Sequence, residues 1–114
     1  MRQVRYLLWG LGVFILLSCA RNPEHFYFGN YSQAERLYQK GEYERAIQKY
    51  QEYIDENPEG NLAVISLYYI ARSHMALGHD EEARALFDEV STKHPDLVWA
   101  HFSEMQLKEM DAQA

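Results

Sequence analysis

The stretch AERLYQKGEYERAIQKY, residues 34–50, is followed by ARSHMALGHDEEARALF, residues 71–87, which repeats its pattern at an offset of 37 residues. Glycine, alanine, an aromatic residue and, further along, proline recur at this offset. The matching pairs are Gly41/Gly78, Ala46/Ala83, Tyr50/Phe87 and Pro58/Pro95. Several matches of residue type at one offset indicate an internal repeat, and periods of about 20–50 residues are typical of solenoid folds.

Each recurring residue type has a physical role in a helical hairpin. Gly41 and Gly78 fit the left-handed cap that ends a first helix. Ala46 and Ala83 fit a close approach of two helices, because a larger side chain would push the helices apart. An aromatic residue one turn later fills the space between hairpins, and a proline ends the second helix. The repeat is therefore predicted to be a pair of antiparallel helices.

From Tyr31 onward almost the whole chain has the pattern of α-helix. No run alternates as a β-strand does, and turn signals occur only near residues 40–41, 57–60, 78–79 and 94–95. We predict helices at 31–40, 43–57, 62–77, 80–93 and 97–110. Short connections between helices imply antiparallel neighbours. The predicted fold class is all-α: a short α-solenoid of two helical hairpins plus a C-terminal capping helix.

The two segments resemble the tetratricopeptide repeat, and the resemblance extends over about residues 30–110. The usual period is about 34 residues, so we place the extra length in the loop after Pro58. The lengthened repeats look like those of bacterial envelope proteins, including the lipoprotein of the outer-membrane β-barrel assembly machinery and the periplasmic partner of the Tol-Pal system. Such folds usually need about three repeats. We therefore expect marginal stability, or support from a partner.

The resemblance implies a binding groove on a concave surface that is lined by the first helix of each repeat. The groove positions of the family correspond in this sequence to Tyr31, Glu35, Tyr38, Tyr68, Arg72, Met75, Trp99 and Phe102. If the capping helix is aligned in the other possible register, Met105 takes the place of Trp99. Aromatic side chains supply large contact areas at low entropic cost. The alternative is that several of them fill the core of a small domain. Arg72 could pair with Glu35 in the groove or on an exposed helix surface.

The first 18 residues have the pattern of an export signal. Arg2 and Arg5 precede an apolar run over residues 6–17, and Ser18 comes directly before Cys19. The run is shorter than the roughly 18–20 residues of a membrane-spanning helix, so residues 1–18 predict a removable signal peptide. The end of this segment, LLSC, resembles a bacterial lipobox. That resemblance implies that Cys19 becomes the lipidated first residue, and an ordinary signal peptide ending near a cysteine is the alternative.

The lipobox resemblance also implies a location. Ala20 in the second mature position favours the periplasmic face of the outer membrane over retention at the inner membrane, and several acyl chains give a firm anchor. Residues 19–30 are predicted to be a lipidated tether and residues 31–114 the helical domain. We expect the aromatic residues at 26–28 to pack against the first helix, with insertion into the membrane interface as the alternative.

Charge and motif content narrow the class of function. Without residues 1–18 the chain has 9 basic and 17 acidic residues, a net charge of about −8, which disfavours nucleic acid and anionic headgroups. The five histidines form no His-x-x-x-His or Glu-x-x-His pair, and no phosphate loop or nucleophile motif is present. We therefore expect no metal, no cofactor and no catalytic residue.

The predicted function is a non-catalytic adaptor that binds a protein or peptide partner in the cell envelope. A self-associating structural lipoprotein is the alternative, because oligomerisation would add the stability that two repeats lack. A regulator that contacts a cell-wall enzyme would differ from the adaptor only in its partner.

Overall fold

The computed structural model describes residues 29–114, and five α-helices follow one another along this part of the chain. Helix α1 spans Asn30–Gln39, α2 Tyr43–Glu56, α3 Asn61–Ala76, α4 Asp80–Lys93 and α5 Val98–Gln113. The predicted helix ends are confirmed to within one residue, except that α5 runs three residues further. The predicted signal peptide, Cys19 and the tether up to residue 28 lie outside the described residues.

The helices form two antiparallel hairpins and a cap. Each helix packs against the next one in the chain, and α3 also contacts α1 and α5. Helices α1, α3 and α5 therefore lie side by side on one surface, with α2 and α4 behind them. This arrangement confirms the predicted all-α solenoid. Within residues 29–114 no helix combines the length and the apolar content that a bilayer-spanning segment needs.

The turn inside each hairpin is the same Schellman motif. Gly41 and Gly78 have φ angles of 78° and 80°, the left-handed region that favours glycine. The N–H of the residue after each glycine donates to a carbonyl five residues back. The distances are 2.9 Å from Glu42 to Leu37 and 2.8 Å from His79 to His74. These bonds satisfy carbonyls at the end of each first helix, so the two predicted glycine caps are confirmed.

The repeated alanines and aromatic residues form the centres of two hydrophobic cores. Ala46 and Ala83 are fully buried, and Tyr50 and Phe87 are 1% and 0% exposed. The first core contains Tyr31, Ala34, Ala46, Tyr50 and Ile70, and the second contains Tyr68, Ala71, Ala83, Phe87 and Met110. The predicted close approach of the helices at the alanines is confirmed.

The 37-residue spacing continues into α5. Ala63 and Ser66 of α3 are buried, and so are Ala100 and Ser103 at the corresponding places of α5. The two serine hydroxyls donate to carbonyls four residues back in their own helices, at 2.7 and 2.8 Å. Buried hydroxyls are thus satisfied without a partner from the neighbouring helix. The face of α5 that meets the second hairpin therefore repeats the face of α3 that meets the first.

The opposite face of α5 differs from that of α3. Ala71 of α3 is fully buried in the second core, whereas its counterpart Lys108 is exposed. His101 and Glu104 on this side are also exposed. A polar face at this place suits solvent and not a further helix, which agrees with the predicted capping role of α5.

Candidate functional site

A continuous array of aromatic rings lies across α1, α3 and α5. This aromatic array consists of Tyr38, Tyr69, Tyr68, Trp99 and Phe102. Successive ring centroids in that order are 5.0, 5.4, 5.2 and 5.5 Å apart. Three of the four contacts are T-shaped, the arrangement that the charge distribution of aromatic rings favours. The array joins the three helices on the surface where the groove is predicted.

Two of the predicted groove residues belong to the cores. Tyr68 is 5% exposed and Tyr31, at the corresponding place of the first hairpin, is 7% exposed. Their rings contact the filling aromatic residue of their own hairpin, with centroids 5.7 Å apart for Tyr68 and Phe87 and 5.8 Å apart for Tyr31 and Tyr50. For Tyr31 and Tyr68 the alternative interpretation from the sequence is therefore confirmed: both rings fill the cores of their hairpins. The remaining members of the array are half-buried: Tyr38, Tyr69, Trp99 and Phe102.

Tyr69 is not among the groove residues predicted from the sequence. It lines a depression of about 130 Å³ between α1 and α3, together with Glu35, Tyr38, Gln39 and Tyr50. Its ring stacks on that of Tyr50 at 5.9 Å, with an angle of 14° between the planes. Matching the repeats selected Tyr68, and one residue along a helix turns the side chain by about 100°. The half-buried aromatic residue of this pair is Tyr69.

Arg72 brings a positive charge to the aromatic array. Burial raises the pKa of Tyr38 and Tyr68 above the ordinary value for tyrosine, and the charge of Arg72 acts against that rise in both cases. Within residues 29–114 the Nε atom of Arg72 is buried and has no hydrogen-bond partner. A buried donor without an acceptor costs about 1–3 kcal/mol. The rest of the Arg72 side chain is half-buried on this surface, so its positive charge is the feature that a ligand with an oxygen acceptor would meet.

The ion pair between Glu35 and Arg72 is not formed. The ion pairs in residues 29–114 join Arg45 to Glu42, Lys49 to Glu52, Arg84 to Asp111 and Lys93 to Glu89. Glu35 is exposed beside the depression. Burial is the main cause that raises the pKa of Tyr31, and the negative charge of Glu35 is the second. Arg72 and Glu35 thus remain separate charged groups on the same surface.

The other predicted groove residues lie at the margin of the array. Met75 is half-buried against the second core. Of the two registers considered for the cap, the one with Trp99 places an aromatic ring in the array. Met105 is 53% exposed. The surface therefore combines four half-buried aromatic rings, one arginine and one carboxylate.

A family model described as the tetratricopeptide repeat matches residues 37–102, which is more than half of the chain. The matched segment contains both turn glycines, both core alanines and the whole aromatic array. A search of curated proteins gave no match. Tetratricopeptide repeats are protein-interaction modules, and their fold is typically a non-catalytic scaffold. The matched family therefore points to binding of a protein partner.

Proposed function

We propose that this chain, which belongs to the tetratricopeptide repeat family, is a lipid-anchored adaptor that binds a protein or peptide partner in the bacterial cell envelope. One observation carries the binding part of the proposal. The charge of Arg72 acts on Tyr38 and Tyr68 of the aromatic array, and the Arg72 side chain is half-buried beside the half-buried rings of this surface. Aromatic residues and arginine are the types that dominate the binding energy of protein interfaces.

The size of the groove favours a polypeptide over a small molecule. The depression at Tyr69 has a volume of about 130 Å³, below the about 300–1,000 Å³ of typical small-molecule pockets. It can accept a side chain of a longer segment while the neighbouring rings contact the rest. The half-buried guanidinium group of Arg72 would donate to a carbonyl or carboxylate oxygen of that segment. We therefore propose a partner segment with apolar side chains next to an oxygen acceptor.

A position-specific crosslinking experiment tests the groove. A photoreactive phenylalanine analogue is placed at position 69 of the full chain in cells, and at position 48 as a control, since Gln48 is exposed on α2 away from the array. We expect irradiation to link position 69, but not position 48, to a partner that mass spectrometry identifies. Crosslinks of position 69 only to copies of the same chain would favour the self-associating structural lipoprotein and contradict the adaptor.

The location rests on the sequence of residues 1–20. The basic residues, the short apolar run and the LLSC segment together support export and lipidation at Cys19, and Ala20 supports the outer membrane. Multiple acyl chains would hold the helical domain at the periplasmic face. A regulator of a cell-wall enzyme would use the same anchor and the same groove.

Metabolic labelling tests the anchor separately from the groove. Cells that express the wild-type chain or the Cys19→Ser variant are labelled with an alkyne-bearing palmitate analogue and then fractionated. We expect label and outer-membrane fractionation for the wild type, and loss of both in the variant. An unlabelled wild-type chain in the soluble fraction would contradict the lipid anchor.

A further inference from the structure

Two histidines meet across the turn between α3 and α4. The Nδ1 atoms of His74 and His79 lie 3.2 Å apart and share a hydrogen bond, in which one ring donates and the other accepts, and the ring planes are inclined at 44°. His74 is half-buried in the last turn of α3, whereas His79 is exposed and directly precedes α4. Spacing rules for ligands on a single helix overlook this pair, because the turn separates its two members.

The turn holds both histidines in position. The N–H of His79 donates to the carbonyl of His74 at 2.8 Å, and the N–H of Gly78 donates to the carbonyl of Met75 at 3.1 Å. Gly78 closes this motif in its left-handed conformation. The two imidazoles therefore extend from the ends of one hydrogen-bonded turn. No backbone movement is needed to bring them together.

The distance between the nitrogens fits chelation of a single metal ion. Bonds between Zn²⁺ and histidine nitrogen are about 2.0–2.1 Å long. Two nitrogens 3.2 Å apart would therefore subtend an angle of about 100–106° at a shared ion. That angle is close to the tetrahedral geometry that zinc adopts in proteins.

The surroundings also favour a cation bound by neutral imidazole. Burial lowers the pKa of His74, and the neighbouring His79 lowers it further, while the charge of Glu82 opposes them. Glu82 lies in the first turn of α4, next to Asp80 and Glu81. These carboxylates would attract a divalent ion, and neutral imidazole is the form that binds it.

We propose that His74 and His79 form a two-histidine binding site for a divalent transition-metal ion such as Zn²⁺. Within residues 29–114 no group of three or more ligating side chains is assembled. The remaining coordination positions are therefore open to water, to Glu82 after a side-chain rotation, or to a donor from outside the chain. A bound ion would replace the proton shared by the two Nδ1 atoms, which is released or moves to Nε2, and would tie the end of α3 to the start of α4.

The first hairpin supplies a natural control for this site. Leu37 and Glu42 occupy the places of His74 and His79, 37 residues earlier. The same backbone bond closes that turn, from the N–H of Glu42 to the carbonyl of Leu37 at 2.9 Å. His74→Leu therefore introduces a side chain that this turn already carries elsewhere in the chain, and His79→Gln replaces the second histidine without adding a carboxylate ligand.

Zinc titration by calorimetry tests the proposal. The full chain is purified in detergent without a polyhistidine tag, in a Cys19→Ser background that removes the competing thiol, and titrated with ZnCl₂. We expect one ion per chain. Affinity should be at least about tenfold weaker with His74→Leu or His79→Gln alone, since even indirect supports of a metal site cost 10–100-fold. The double variant should show no binding above the control buffer.

Two controls make the result decisive. His101→Gln removes an exposed histidine that lies outside the pair and should leave zinc affinity unchanged, and circular dichroism should show equal helicity in all variants. If the double variant loses helicity, the single variants His74→Gln and His79→Gln replace it. Equal zinc affinity in the wild type and in folded variants that lack either histidine would overturn the proposal. An equal loss with His101→Gln would also overturn it.

Discussion

The two helical hairpins share their internal packing but differ on the surface that can meet a partner. The turn glycines, the core alanines and the filling aromatic residues have nearly the same backbone and burial in both hairpins. On the groove side, Glu35 and Tyr38 of the first hairpin correspond to Arg72 and Met75 of the second. The repeated residues therefore determine how the helices pack, and the residues that differ determine what the surface can bind.

Removing the filling aromatic residue should break either hairpin. Tyr50→Ala and Phe87→Ala are each expected to lower the free energy of unfolding by about 3–5 kcal/mol, because each leaves a large cavity in a closed core. Urea denaturation followed by circular dichroism measures the loss. The two variants should agree to within about 1 kcal/mol if the hairpins pack alike. A loss below about 1 kcal/mol at only one of the two would refute equivalent packing.

Enlarging the core alanines should separate the helices of each hairpin. Ala46→Leu and Ala83→Leu are expected to cost about 1–3 kcal/mol, because both sites are fully buried and a larger side chain must displace its neighbours. Thermal denaturation of both variants measures the effect. Ala85→Leu, at an exposed position of α4, is the matched control and should change stability by less than about 0.5 kcal/mol.

Alanine at the turn glycines tests whether the two caps are equivalent. Gly41→Ala and Gly78→Ala should each cost about 1–2 kcal/mol, the penalty for a side chain in the left-handed region. A Cβ atom at Gly41 would lie 4.0 Å from the Tyr43 ring, and one at Gly78 would have no neighbour within 4 Å. Neither variant adds a clash, so chemical denaturation should show equal losses. A clearly larger loss at Gly41 would reveal a difference between the turns.

The smallest expected effect is a pH dependence of stability that arises in the first hairpin and not in the second. Burial, followed by the charges of Tyr31 and Glu35, raises the pKa of Tyr50 above its ordinary value of 10.0, whereas Phe87 cannot ionise. The native state therefore keeps a proton that the unfolded chain releases above about pH 10, so stability falls as the pH rises through that value. From pH 9 to 11, Tyr50→Phe should lose about 1 kcal/mol less than the wild type. Identical losses would contradict the burial of this hydroxyl.

The packing could be predicted from the sequence because each repeated residue acts locally. Few other residue types fit a left-handed helix cap, a close crossing of two helices or the position after a helix end. Glycine, alanine and proline at these places therefore identify the local structure. The length of α5 was not predictable in this way. Its last turns are supported by contacts with other parts of the fold, since Met110 is buried in the second core and Asp111 forms an ion pair with Arg84 of α4.

The groove was only partly predictable, because exposure depends on the rotation of each helix. Tyr68 and Tyr69 are adjacent and chemically identical, yet one is in the core and the other lines the depression between α1 and α3. The histidine pair was hidden for a related reason: His74 and His79 are brought together by a turn and not by a helical period. Both features depend on contacts between elements, which a spacing pattern does not contain.

A pair of matched arginine variants tests the groove adaptor most directly. Arg72→Met removes the half-buried guanidinium group beside Tyr38 and Tyr68, whereas Arg45→Met removes an exposed arginine of α2. The yield of the partner crosslink from position 69 is measured in cells with equal amounts of each folded chain. We predict at least a tenfold fall with Arg72→Met, because a charge-assisted hydrogen bond contributes about 1.5–3 kcal/mol, and no change with Arg45→Met. Equal yields from both variants would contradict binding of the partner in this groove.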